Sequence, residues 1–126
     1  MANGFRWEVR CSKRRVTFAS GRYSNPKRHS IPTVNGSQVI PKLFKGARVT
    51  SGYRGPNHPL SKANPDSWHA RSAGAVDMAP IKGKTFEQTA REIQAAGYTI
   101  LEARDEVNNP TKHATGPHWH FVLGKQ

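Results

Sequence analysis

The sequence predicts an α+β fold, a small antiparallel sheet with helices packed against it. Three observations carry this. One segment has the apolar period and the end signals of an amphipathic helix. Four apolar runs of strand length surround it, bounded by Gly, Pro and Asn. The chain has 126 residues, enough for one core and too few for several.

Taken in order, the first third is rich in turn formers: Gly21, Asn25-Pro26, Pro32, Asn35-Gly36 and Pro41. Its apolar runs, Val16-Thr17-Phe18 and Gln38-Val39-Ile40, are short, so it reads as short strands and loops, with a hairpin turn at Asn35-Gly36. Arg48 to Ser51 is a strand candidate ending at Gly52, and a Pro- and Asn-rich loop follows from Gly55 to Asp66. Gly74 to Met78 is a second strand, closed by Pro80. The helix is expected over 86–96. Thr85 is its N-cap, Gln88 completes a capping box, and Phe86, Ala90 and Ile93 form its apolar face before Gly97 stops it. Tyr98 to Ala103 and His118 to Leu123 are the remaining strands. One domain is expected over 1–126, with a basic N-terminal segment (1–45) preceding a core (46–126).

Composition excludes several classes. Cys11 is alone, so no disulfide framework exists within the chain. No apolar run approaches the ~20 residues of a helical membrane span. The first ten residues hold no apolar stretch of a secretory signal. The net charge is +12, and it is uneven. Residues 1–48 hold eleven Lys and Arg against Glu8 alone, whereas residues 49–126 hold nine against seven acids. Such a segment attracts polyanions, but the chain has no basic helix, zinc finger or RNA-binding aromatic motif to favour nucleic acid.

Six histidines occur, three of them near the C-terminus. In a strand, His118 and His120 share one face and Trp119 the other. Asp77 lies in an apolar strand, where a carboxylate needs a partner. His69 precedes it by eight residues. His69, Asp77 and His120 make an N,O donor set of the kind that holds zinc with one place open for water.

Read together, Ser51-Gly52-Tyr53-Arg54, Pro56-Asn57-His58, Ser67-Trp68-His69, Gly74-Ala75-Val76-Asp77 and His118-Trp119-His120 resemble the zinc D-alanyl-D-alanine peptidases, a group that includes lysostaphin and the amino-terminal domain of hedgehog. The resemblance covers about residues 48–123 and nothing in residues 1–45. It implies a zinc site in a surface cleft, with His69, Asp77 and His120 as ligands. It implies that Arg54 binds substrate and stabilises negative charge, that Ser67 supports the site or binds substrate, and that His118 acts in the active site without ligating the metal tightly. Two departures stand out. The His-to-Asp step is eight residues, one more than the family pattern, and Gly74 sits at its fifth position. Pro117 stands where many members carry an acid as general base. Glu102 resembles the alternative base position best; Asp105, Glu106 and His113 are rivals. The segment Val107 to Pro117 reads as an insertion over the cleft.

The resemblance thus implies a zinc-dependent peptidoglycan peptidase acting on peptide stems or cross-links, as a phage or prophage lysin. The alternative is a non-catalytic, zinc-containing, wall-binding module of the same fold. A monomer is expected, residing in a host cytoplasm before release or carried in a virion. The basic segment is then a device for meeting an anionic cell envelope. Neutralising Arg10, Lys13, Arg14 and Arg15 together should weaken lysis of whole cells and spare cleavage of a short soluble peptide; equal loss on both substrates would refute that role.

Overall fold

The computed structural model describes residues 16–110 and 116–125. Five strands, β1 (Arg22–Ser24), β2 (Val49–Ser51), β3 (Ala75–Met78), β4 (Thr99–Asp105) and β5 (Trp119–Gly124), form one sheet in the order β1-β4-β5-β3-β2. Every neighbouring pair is antiparallel. Among the described residues four helices accompany it: α1 (Gly36–Leu43), α2 (Pro59–Ala63), α3 (Trp68–Arg71) and α4 (Phe86–Ala95). The expected α+β class is the observed one. Among the described residues no helix is long and apolar enough to cross a membrane.

The strong local signals formed as read. Thr85 caps α4 with a complete capping box, its Oγ1 accepting the Gln88 amide at 3.0 Å while Gln88 Oε1 accepts the Thr85 amide at 2.8 Å. Phe86, Thr89, Ala90 and Ile93 are the buried face of that helix. The expected hairpin at Asn35-Gly36 is instead a helix start. A two-residue hairpin turn of that composition needs positive φ at both central residues, and Asn35 has φ −79°. Its side chain accepts the Gln38 amide, so it is the N-cap of α1, and Gln38-Val39-Ile40 is helical rather than extended. Pro41 lies inside this helix on its exposed side. The Gly55–Asp66 loop contains the short helix α2, introduced by Pro59 in its first turn.

The sheet has two buried faces of unequal size. On one, Val76, Met78, Ile100, Ala103, Trp119, Phe121 and Leu123 pack with Phe86, Ala90 and Ile93 of α4 and with Val39 and Ile40 of α1. Phe86 stacks on Phe121 at 5.4 Å. Phe18 and Phe44 complete this cluster, so residues of the basic first third share the core with the segment that follows. On the other face a small apolar group, Ala75, Leu101 and Val122, lies against Ile31 and Trp68. Close approach is needed where α1 meets β3. A Cβ on Gly36 would stand 2.7 Å from the Gly74 carbonyl oxygen, and one on Gly74 2.6 Å from that of Leu123.

Ile40 is fully buried. Ile40→Ala should therefore lower stability by about 2–5 kcal/mol while keeping a single cooperative unfolding transition. Thermal denaturation followed by circular dichroism checks this, and an unchanged melting temperature would detach α1 from the core.

Candidate metal centre

Three separate local devices aim side chains at one point on the smaller face. Ser67 is the N-cap of α3, its Oγ accepting the His69 amide at 3.2 Å, and this short helix presents His69 inward. Trp68, in the same turn, contacts the His29 ring (5.6 Å) and the Arg71 guanidinium (5.0 Å). Asp77 and His120 are direct partners in the β3–β5 ladder, so their side chains emerge together on one face. The eight-residue step from His69 to Asp77 is absorbed by α3 and its C-cap Ser72, and both ends point inward.

The result is a buried triad. His69 Nε2 lies 3.1 Å from Asp77 Oδ1 and 3.3 Å from His120 Nδ1, and His120 Nδ1 lies 2.9 Å from the same carboxylate oxygen. All three residues are less than a tenth exposed. A tetrahedral site with N and O bonds of ~2.0–2.2 Å has donor atoms ~3.3–3.6 Å apart, close to this spacing. The chemistry of the donors points the same way. His69 Nδ1 sits 2.8 Å from the Gly52 carbonyl, an acceptor only, so its proton is there and Nε2 offers a lone pair. His120 has a carboxylate at each ring nitrogen, Glu102 Oε1 3.4 Å from Nε2 and Asp77 Oδ1 2.9 Å from Nδ1, so with a metal ion in the triad its proton belongs on Nε2 and Nδ1 takes the same role. Two imidazole nitrogens and a carboxylate converging at these distances need a proton or a metal ion between them. The triad can hold a metal ion.

Without metal, a proton fills that need. Burial disfavours a charged His120, but its hydrogen bonds with Asp77 and Glu102 outweigh this and raise its pKa above the usual imidazole range. Burial likewise opposes ionised Asp77, yet the bonds with His120 and His69 hold its carboxyl well below the usual range. Glu102 is lowered too: burial opposes its charge, and His120 and then Arg104 outweigh burial.

The other expected residues are distributed unevenly. His118 borders the triad, with Nε2 3.6 Å from Asp77 Oδ1 and Nδ1 2.8 Å from the Gly116 carbonyl. Arg54 joins the site through its backbone, donating its amide to the His69 carbonyl at 2.8 Å. Its guanidinium donates to Ser51 Oγ at 3.0 Å, and its Nε is buried with no partner among the described residues. Ser67 Oγ is committed to the helix cap. Glu102 contacts the outer nitrogen of His120 and pairs with Arg104 at 3.1 Å. Arg104 also reaches Glu106 at 3.6 Å. Asp105 is removed from the site: its carboxylate accepts the Val107 and Asn108 amides and the Asn108 side chain, closing the turn after β4. His113 lies outside the described residues, as does part of the Val107–Pro117 segment.

Gly52, Trp68 and Arg104 also shape the site, in ways that motif spacing does not reveal. A carbonyl that sets a tautomer carries no side-chain signal. Arg104 had one: it is an alternate-position neighbour of Glu102 and Glu106 in a strand. Comparison with known protein families, curated proteins and solved structures finds no match to this chain.

Metal must displace the His120 proton, so affinity should rise with pH until His120 is neutral without metal. Isothermal titration in two buffers of different ionisation enthalpy should show proton release on binding. Binding that is independent of pH between 5 and 8 would exclude these histidines as ligands.

Proposed function

We propose that the chain is a zinc-dependent peptidase of bacterial peptidoglycan, cutting peptide stems or cross-links as a lysin of phage or prophage origin. The observation that carries the reading is the convergence of His69, Asp77 and His120 on one point, in residues that also carry the ordered motifs resembling the zinc D-alanyl-D-alanine peptidases. Their nitrogen and oxygen donors suit zinc.

Zinc bound there would supply a Lewis acid and a water of lowered pKa. The chain's own residues surround that chemistry. His118, with one ring nitrogen held by Gly116 and the other turned toward Asp77, stands at the rim where it can stabilise developing negative charge or exchange a proton. The Arg54 guanidinium, with a buried Nε–H that has no partner among the described residues, suits a carboxylate or oxyanion of the substrate, and peptidoglycan stems carry free carboxylates. The excess charge of residues 1–48 suits an anionic envelope, and a cytoplasmic pool released at lysis, or carriage in a virion, fits the same role.

Pro117 favours one other reading, a non-catalytic zinc-containing module that binds the wall, because it occupies the position where many proteins of this type carry their acid. Metal analysis together with mass spectrometry of muropeptides after digestion separates the two. One zinc per chain with new peptide termini is the expected result, and His120→Ala should lose both. Zinc without cleavage would establish the binding module, and a folded, metal-free His120→Ala variant that still cleaves would overturn the zinc mechanism.

A further inference from the structure

Glu102 reaches the metal centre from an unexpected side. Ile100 and Ala103 of β4 both face the principal core, and Leu101 faces the opposite side with Ala75 and Val122. Strict alternation would send Glu102 into the principal core. The β4–β5 register instead shifts between Ile100 and Glu102, so that Glu102 is the partner of Val122, two residues from His120. This bulge turns the carboxylate onto the triad's face. There Oε1 meets His120 Nε2 at 3.4 Å, and Oε2 accepts from Arg104 Nη2 at 3.1 Å. Arg104, the ladder partner of His120, is steadied in turn by Glu106. Both oxygens of Glu102 are therefore engaged, and the nitrogen it touches is the one pointing away from His69 and Asp77.

We infer that Glu102 is a positioning residue rather than the proton acceptor that the resemblance implies. It keeps the His120 proton on Nε2, so that Nδ1 faces the triad, and Arg104 holds it in place. A carboxylate behind a ligating imidazole fixes its tautomer and orientation and makes it a better donor, and losing such a partner weakens metal binding ~10–100-fold. The inference rests on the metal reading of the triad and not on the hydrolytic one.

The test is zinc affinity of the intact chain, measured by chelator competition for the unaltered protein, Glu102→Gln and Glu102→Ala. Circular dichroism of the metal-free forms verifies folding, and the Gln variant conserves side-chain volume. Glu102→Ala should bind zinc about 10–100-fold more weakly. Glu102→Gln, which keeps a neutral acceptor, should fall between. In the zinc-loaded protein the His120 Nε2–H signal in 15N-edited spectra should be protected from exchange, and the Ala variant should lose that protection. Unaltered zinc affinity in both variants, with turnover lost, would overturn the inference and make Glu102 the base. If the unaltered chain binds no zinc, the metal reading fails and this inference with it. Zinc binding without cleavage removes only the hydrolytic reading.

Discussion

The pairing of β3 with β5 is the constraint on which the rest depends. It sets Asp77 beside His120 and, one position earlier on β3, Val76 beside Phe121. Side chains alternate along both strands, so a single register places the polar pair on one face and the apolar pair on the other. A slip of one residue would drive a carboxylate and an imidazole into the principal core and turn Phe121 outward. Hydrophobic burial on the larger face thus holds the register that the site on the smaller face requires. The α4 helix contributes through Phe86, which stacks on Phe121 directly behind the β5 residue that carries the triad.

The second constraint is electrostatic. Asp77, His69, His120 and Glu106 are all buried, and Glu102 and Arg104 are half-buried. Isolated charges at such depth are costly. They are tolerated because they form a continuous series across the small face: His69 and His120 on Asp77, Glu102 behind His120, and Arg104 between Glu102 and Glu106. A cation at the triad, whether proton or metal, balances the acceptors that converge there. The site is therefore one polar layer set into an apolar sheet rather than three ligands on a loop.

Backbone groups do as much of the orienting as side chains. The Gly52 carbonyl decides which nitrogen of His69 faces the triad, the Gly116 carbonyl does the same for His118, and the His69 carbonyl ties down the amide of Arg54. The short helix α3 is capped by Ser67, and Trp68 in its first turn packs against His29 and Arg71. Ser-x-His is in this sense a structural unit: the serine builds the turn that aims the histidine.

Much of this was legible in the residues. The capping box at Thr85, the four main strands and the candidate ligands His69, Asp77 and His120 rest on local periodicity, cap chemistry and donor type, which the sequence states directly. The start of α1 is not legible in the sequence, because Asn-Gly serves a hairpin or a helix cap equally well; in the fold Asn35 caps the helix and Gly36 packs closely against Gly74. The separation of the acidic candidates was also beyond sequence. Glu102, Asp105 and Glu106 are near neighbours in the chain, yet Asp105 closes a turn, Glu106 meets Arg104 and Glu102 meets His120. By itself the sequence determined α4, the four main strands and the donor set, since these depend on residue type and short spacing. Only the tertiary structure decided which way each donor points, because strand register, a one-residue bulge and three backbone carbonyls set those directions, and all of them depend on contacts between distant parts of the chain.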